Sequence, residues 1–301
     1  MERVSAKLLH DLWRVGARVE PEPLRRDGGA IGLYRSPCGL MFFHPAVAGS
    51  AAFYRAFYER FRGHEMLGRQ AAAREDFRAG AALARPGDRV LDVGCGAGAF
   101  AALLPTGARY TGLEPHGTPR ASPPVLAETA EAHARRFLGA YELVCAFQVL
   151  EHAADPLGLA SAMVECLAPG GLLVLAMPIW PSPHTEIPNN LVNLPPHHLT
   201  WWNEGACRAL VSRLGLEAVR VEALPAYPSQ APVHWTRALC LTRTRPGRYV
   251  RAGWRCHAAV ALAYGMAKLL APLAGLPPRA RPLDILVVAR KPTQTSMVAG
   301  T

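Results

Sequence analysis

The apolar positions of this chain change rhythm at Arg85-Pro86-Gly87-Asp88, a turn sequence. Before it, spacings of three and four dominate. Ser5 to Val15 reads as a helix, Ile31 to Phe43 as a small hairpin with Gly39 near its turn, and Ala51 to Ala84 as a long helix. Phe53, Tyr54, Phe57, Tyr58 and Phe61 give that helix an aromatic stripe of the kind that packs a core. After the turn, short apolar runs alternate with helical spacing. Strands are expected at 89–93, 109–114, 124–127, 142–147 and 172–177, and helices at 97–104, 129–138, 157–167 and 203–214. Residues 216–222 and 284–290 read as two more strands. This rhythm argues for an α/β fold whose parallel sheet carries helices on both faces. Leu167-Ala-Pro-Gly-Gly171 predicts a helix stop and a sharp turn into the strand at 172.

Five segments follow from this pattern: a prelude of helices and a hairpin (1–84), a core (85–222), a helical insertion (223–282), a last core strand (283–293) and a tail (294–301). Residues 178–200 are rich in Pro, His and Asn and too long for a simple connector, and long loops at strand ends usually carry function. The insertion opens with Arg237, Arg243, Arg245, Arg248, Arg251 and Arg255, and Trp254 to Leu276 is mostly apolar. Two readings stay open for it. It is a lid whose apolar face packs on the core, or an interfacial element whose arginines meet lipid headgroups.

The densest chemical signal is Val90-Leu91-Asp92-Val93-Gly94-Cys95-Gly96-Ala97-Gly98-Ala99-Phe100. The apolar run reads as a buried parallel strand. The glycines let the backbone turn tightly and approach a ligand. Phe100 to Leu104 reads as the start of a helix whose N-terminus faces that ligand. Glu114, 22 residues beyond Asp92, ends the next strand-like run, where a carboxylate accepts both hydroxyls of a ribose. Gly94, Gly96 and Ala99 also satisfy a dinucleotide pattern, so spacing alone leaves a nicotinamide cofactor open. Asp92 tilts the choice: a carboxylate so near the loop repels a pyrophosphate and suits a cationic amino acid end.

Composition bounds the remainder. The chain has 301 residues, 50% hydrophobic, with a formal net charge of +10. Lys7, Lys268 and Lys291 are its only lysines, so arginine supplies nearly all the positive charge. A basic surface favours anionic partners without choosing among them. The seven cysteines are scattered, with no C-x-x-C pair, which predicts a reducing compartment, no disulfide framework and no zinc site. Met1 to His10 shows no signal-peptide apolar region, and no uncharged apolar stretch reaches the length of a membrane span. The expected location is the cytoplasm, with a peripheral position at the inner face of the membrane left open.

The glycine-rich run resembles motif I of the class I S-adenosylmethionine (SAM) methyltransferases. Tyr141-Glu-Leu-Val-Cys-Ala-Phe-Gln-Val-Leu-Glu-His-Ala-Ala-Asp-Pro156 resembles motif IV of the ubiquinone/menaquinone-type methyltransferase superfamily, with its V-L-E-H-x-x-D-P signature. Leu167 to Leu175 resembles the motif that follows. Pro195-Pro-His-His-Leu-Thr-Trp-Trp-Asn203 is similar to the P-x-H-H-L-x-x-W segment of a subgroup of methyltransferase domain proteins that includes many O-methyltransferases of sugars and secondary metabolites. The resemblance covers roughly residues 85–222 and 283–292. Tyr34 to Pro45 resembles the end of a zinc-ribbon prelude, but Ser36 stands near a ligand position and no upstream cysteine pair exists, so we read a metal-free remnant.

The resemblance implies a Rossmann-like, doubly wound, seven-stranded, mostly parallel sheet. It implies SAM as cofactor and S-adenosyl-L-homocysteine as product. Gly94, Cys95, Gly96 and Gly98 would floor the methionine and ribose region, Asp92 would order the loop and reach the ammonium side, and Glu114 would take the ribose hydroxyls. Glu128 would meet the adenine, and Phe147 and Gln148 would lie beside the methionine end. Methyl transfer to a hydroxyl needs a base, and His152, His197 and His198 are the candidates. Glu151 is a candidate orienting partner for His152. The His197-His198 pair, on a Pro-rich loop, is expected to bury poorly, and His184 to lie at the surface. The implied reaction is O-methylation of a sugar, lipid-linked saccharide or phenolic metabolite. The rivals are an NAD-dependent oxidoreductase, an RNA methyltransferase and a non-catalytic SAM-binding protein. Nucleic acid is not the expected partner, since Phe147-Gln-Val-Leu150 is not the N-P-P-Y-type motif of many RNA enzymes.

Overall fold

A computed structural model of the chain describes residues 2–61 and 71–293. In chain order, β1 (Glu2–Ser5), α1 (Ala6–Asp11) and a π-helical turn (Leu12–Ala17) precede β2 (Ala30–Arg35), β3 (Met41–His44), α2 (Ala51–Phe61) and α3 (Glu75–Ala81). Then come β4 (Arg89–Val93), a 3-10 turn (Ala99–Leu103), β5 (Arg109–Leu113), β6 (Arg120–Ala121), β7 (Pro124–Leu126), α4 (Ala130–Ala134), β8 (Tyr141–Phe147), α5 (Pro156–Cys166) and β9 (Leu167–Pro178). The chain closes with α6 (Pro183–Glu186), β10 (Thr200–Trp201), α7 (Glu204–Arg213), β11 (Glu217–Ala223), α8 (Ala231–Leu239), α9 (Trp254–Ala274) and β12 (Asp284–Arg290). Of the expected helix over 51–84, the described residues show α2 up to Phe61, a 3-10 turn at Ala71–Ala73 and α3 from Glu75 to Ala81; residues 62–70, and the expected tail at 294–301, lie outside the described residues.

Contacts divide the chain into two compact units. One comprises Met1–Gly63, Pro178–Asn203 and Ala223–Asp284, the other His64–Met177, Glu204–Glu222 and Ile285–Thr301. The second holds the expected Rossmann-like sheet. Its order is β11-β12-β9-β8-β4-β5-β7-β6. β9, β8, β4, β5 and β7 run parallel. The eighth strand, beyond the seven expected, is the two-residue edge piece β6, antiparallel to β7. Buried on both faces, the central strands use continuous apolar runs: Val90, Leu91 and Val93 in β4, Leu143 to Phe147 in β8 and Leu173 to Met177 in β9 are all buried.

Helix ends follow local chemistry. Asp155 caps α5 by accepting the Gly158 N–H at 2.9 Å, with Pro156 at the first position, so the D-P of the V-L-E-H-x-x-D-P signature is a helix start. Thr129 caps α4 through the Ala132 N–H. Two expectations change. Leu167-Ala-Pro-Gly-Gly171 does not turn away; it enters β9 as an irregular stretch, with Tyr141 opposite Leu167 and Leu143 opposite Leu172. Pro169 offers no N–H to the ladder and Gly170 takes φ +79°, so the strand bulges there. The expected helix at 97–104 is only a short 3-10 turn, because Leu104, ahead of Pro105, is extended.

The other unit is built from three stretches far apart in sequence. β1, β2, β3 and β10 form an antiparallel sheet in that order. Its core joins Val4, Leu9, Ile31, Leu33, Phe43, Trp201 and Tyr249. Polar ties reinforce the joint. The Glu2 carboxylate accepts the Tyr249 and Val250 N–H groups at 2.6 and 3.0 Å. Asn189 exchanges hydrogen bonds with the Arg251 backbone at 2.9 and 2.8 Å. Glu186 pairs with Arg237 and Arg281. By length and composition, α9 is the one helix among the described residues long enough and apolar enough to cross a membrane. The sequence criterion passed over it because Arg255 and Lys268 interrupt the apolar run.

Trp13 anchors this unit. It is fully buried, donates its indole N–H to Pro195 O at 2.8 Å and meets Phe53 edge-on at 5.1 Å. Trp13→Ala is expected to lower stability by about 3–5 kcal/mol in urea unfolding, from lost burial and the cavity left behind.

Candidate cofactor site

The glycine-rich loop hangs on the end of β5. Gly94 and Cys95 both donate backbone N–H groups to Leu113 O, at 2.8 and 3.1 Å. Gly94, Gly96 and Gly98 take φ of +70°, +56° and +77°, a region that side chains rarely adopt. Space adds a second constraint. A Cβ on Gly94 would lie 2.6 Å from Val149, and one on Gly98 2.7 Å from Pro123. The loop therefore presents bare backbone. Glu114 accepts the Gly96 N–H on Oε2 at 3.0 Å, bringing together two of the expected cofactor residues.

Asp92 stands beneath the loop, 3% exposed. Burial pushes its carboxyl up to about 7, while a hydrogen bond from the Tyr110 hydroxyl (2.9 Å) and the charge of Arg74 act in the opposite direction. Cys145 Sγ lies 3.8 Å from Oδ1. Arg74 is itself buried, paired with Asp76 at 3.0 Å and stacked on Phe77 at 3.8 Å. Burial, with Asp92 beside it, also pushes the Cys95 thiol well up, so this cysteine is a thiol and not a nucleophile.

Phe147 ends β8 in an aromatic cluster, 5.0 Å from Phe77 and 4.8 Å from Phe100. Gln148 follows at φ +61°, its N–H held by Ala176 O at 2.7 Å. A non-glycine residue in that conformation stores strain of a kind that collects at ligand sites. His152 closes a short 3-10 turn, with Nε2 3.9 Å from Glu151 Oε1. Glu128, just past β7, is partly buried. Its oxygens meet His133 in the last turn of α4 and Arg136 just beyond it, tying the end of that helix to the segment after β7.

His197 and His198 belong to the other unit, and the expectation that they bury poorly is overturned: they are 7% and 6% exposed. Aromatic neighbours make this tolerable. His197 lies 4.4 Å from the Phe57 ring and near Trp13, Phe53 and Tyr54. The two imidazoles stack on each other at 4.6 Å. Nδ1 of His197 donates to Val192 O at 2.8 Å and Nδ1 of His198 to Asn193 Oδ1 at 3.0 Å. His184 is not at the surface either. It is half-buried, and burial with His234 nearby pulls it down to about 4.

A family model described as a methyltransferase domain matches residues 59–221, more than half of the chain. The chain belongs to the methyltransferase domain family. It is of the class I, SAM-dependent kind, which removes the NAD-dependent alternative. Among curated proteins, the ubiquinone biosynthesis O-methyltransferase of Sodalis glossinidius is 38% identical over 97 residues, 28% of this chain and 39% of that protein. The same-named protein of Cronobacter sakazakii is 35% identical over 97 residues, 28% of this chain and 40% of that one. The chain thus spans about two fifths of the length of these relatives. Among solved structures, a SAM-dependent methyltransferase from Archaeoglobus fulgidus is 16% identical, covering 79% of this chain and all of that one, with a TM-score of 0.47.

The candidate site also contains residues that sequence reasoning passed over. Tyr110 fixes Asp92, and Arg74 tempers its burial. Gly112 is paired with Asp92 across the sheet, and a Cβ there would lie 2.5 Å from Cys95 Sγ. The signal for Tyr110 and Gly112 was strand register: they alternate on β5 beside the motif I strand. Arg74 left no such signal, since it precedes the motif by a turn and a helix.

Two outcomes are expected. The raised carboxyl of Asp92 makes the folded state bind a proton that the unfolded chain has already released, so stability should fall as pH rises from about 4 to about 7, by up to roughly 4 kcal/mol. Thermal unfolding across that range should show the fall, and Asp92→Asn should flatten it. Gly94→Ala, strained and pressed on Val149, should weaken SAM binding by roughly tenfold or more (about 1.4 kcal/mol per decade) in calorimetric titration.

Proposed function

We propose that this chain methylates a hydroxyl group. The observation that supports its cofactor half is the glycine loop, three positive-φ glycines above a buried Asp92 with Glu114 on the Gly96 amide. Residues 85–222 with 283–293 would hold the cofactor, with Arg74 and Phe77 supporting Asp92 and Phe147 from α3 and the residue before it. When bound, SAM supplies a methyl group already activated on a sulfonium, so the chain's task is alignment and proton removal. Gly94, Cys95, Gly96 and Gly98 would present backbone to the methionine and ribose portions. The Asp92 carboxylate would face the ammonium end, and a cation there would favour its ionised form. Glu114 would exchange the Gly96 N–H for the ribose hydroxyls. Phe147 and Gln148 would border the methionine end. Glu128, engaged with His133 and Arg136, would reach the adenine region only by releasing one of them.

The acceptor proton would go to an imidazole. We assign His152 first, because it shares the unit of the glycine loop and follows β8 by five residues. His197 and His198, whose Nδ1 atoms are engaged by Val192 O and Asn193 Oδ1, are the alternatives. The names of the relatives support oxygen as the methylated atom, and the acceptor we propose is a small phenolic, sugar or lipid-linked hydroxyl compound. The protein would work in the cytoplasm or peripherally at the inner face of the membrane.

Thermal unfolding with SAM, S-adenosylhomocysteine and NAD tests the first part. A ligand at about 100 times its Kd should add roughly 2.7 kcal/mol. SAM and S-adenosylhomocysteine should do so, NAD should not, and Asp92→Ala should abolish the effect; stabilisation by NAD alone would sink the reading. Release of S-adenosylhomocysteine over a panel of hydroxylated acceptors tests the second. Replacing the base by glutamine should cost about 10²–10⁴ in kcat while leaving the SAM shift intact. Turnover unchanged in all three of the His152→Gln, His197→Gln and His198→Gln variants would exclude these imidazoles as the base.

A further inference from the structure

From Ala223 to Leu283 the chain contains no Asp or Glu. The same stretch carries nine of its 33 Lys and Arg, leaving 24 against the 23 acids elsewhere. The net charge of +10 is thus almost wholly a property of this segment. Arg237 and Arg281 are paired with Glu186, whereas Arg245, Arg248, Arg255, Lys268 and Arg279 are exposed.

Within the segment, α9 has two apolar faces of different character. Cys256, Ala263, Ala267 and Ala271 are buried and form a small-residue face. α9 packs against α8, and the Trp235 indole N–H donates to Gly275 O at 2.7 Å just past its end. A second stripe points to solvent. Leu262, Met266, Leu269 and Leu273, spaced four, three and four apart, are 65%, 40%, 76% and 87% exposed. Trp254 (73% exposed) lies at the start of the helix with the Arg255 guanidinium over its ring, and Lys268 extends over Tyr264. A lid would turn its leucines inward. Here the bulky residues face out and the small ones face in.

We infer that α9 and the arginine loop before it form a docking surface for an anionic lipid bilayer, with the Leu262–Leu273 stripe in the headgroup boundary and Arg245, Arg248, Arg255 and Lys268 on lipid phosphates. The charge complementarity commits the surface to an anionic partner, and the leucine stripe favours a bilayer over RNA, which would gain nothing from it. Lys268 in mid-helix and the face committed to α8 favour lying in the interface over spanning it. The inference rests on the proposed function in one respect: a membrane-bound enzyme is well placed for a lipid-linked acceptor.

Sedimentation of the full chain with vesicles tests it. Phosphatidylglycerol-containing vesicles should carry the protein down at low salt, pure phosphatidylcholine vesicles should not, and added salt should weaken the binding. Leu262→Ser/Leu269→Ser/Leu273→Ser and Arg245→Glu/Arg248→Glu should each reduce partitioning by roughly tenfold or more. These positions are exposed, so Tm and the SAM-induced shift should stay at wild-type values. No binding to anionic vesicles would overturn the inference, as would vesicle binding that survives the leucine substitutions and is competed by RNA. Vesicle binding without any SAM-induced shift would uphold the surface and sink the proposed function.

Discussion

The burial of one carboxylate organises the cofactor end of this fold. Asp92 sits at the end of a central strand with sheet neighbours on both sides, where an isolated charge is costly. The surroundings answer with a phenol, a thiol and a buried guanidinium. Each of those needs its own placement: Tyr110 on the neighbouring strand, Cys145 on the strand opposite, Arg74 held by Asp76. Above it the loop is bare backbone, and at Gly96 a Cβ would meet nothing within 4 Å. Much of the local sequence on β4, β5 and β8 is readable as support for this one group.

That end of the molecule was legible because its constraints are local. The apolar runs of β4, β8 and β9 announce strands buried on both faces, and Gly94, Gly96 and Gly98 announce backbone in a region that side chains rarely adopt. Their positive φ angles follow directly. Element boundaries were less legible where proline intervened. Pro105 shortens the turn after the loop, and Pro169 converts an expected turn into a bulge. Register was the missed clue for Tyr110 and Gly112.

The other unit was less legible because nothing local encodes it. The prelude, the 178–203 stretch and the insertion each look like an appendage when read alone. They cohere through contacts of very long sequence separation, such as Glu2 with Tyr249 and Val250, or Trp13 with Pro195. The same long-range packing buries His197 and His198. A His-His pair beside prolines reads as solvated until α2 supplies an aromatic wall.

The almost lysine-free character of the acid-poor segment has a consequence of its own. A guanidinium keeps its charge at every pH a cell visits, and it is no target for acylation. The positive field there is therefore permanent. Of the nine positive charges only Lys268 is open to the enzymes that neutralise lysines, so the arginine part of the field responds chiefly to ionic strength and competing polyanions.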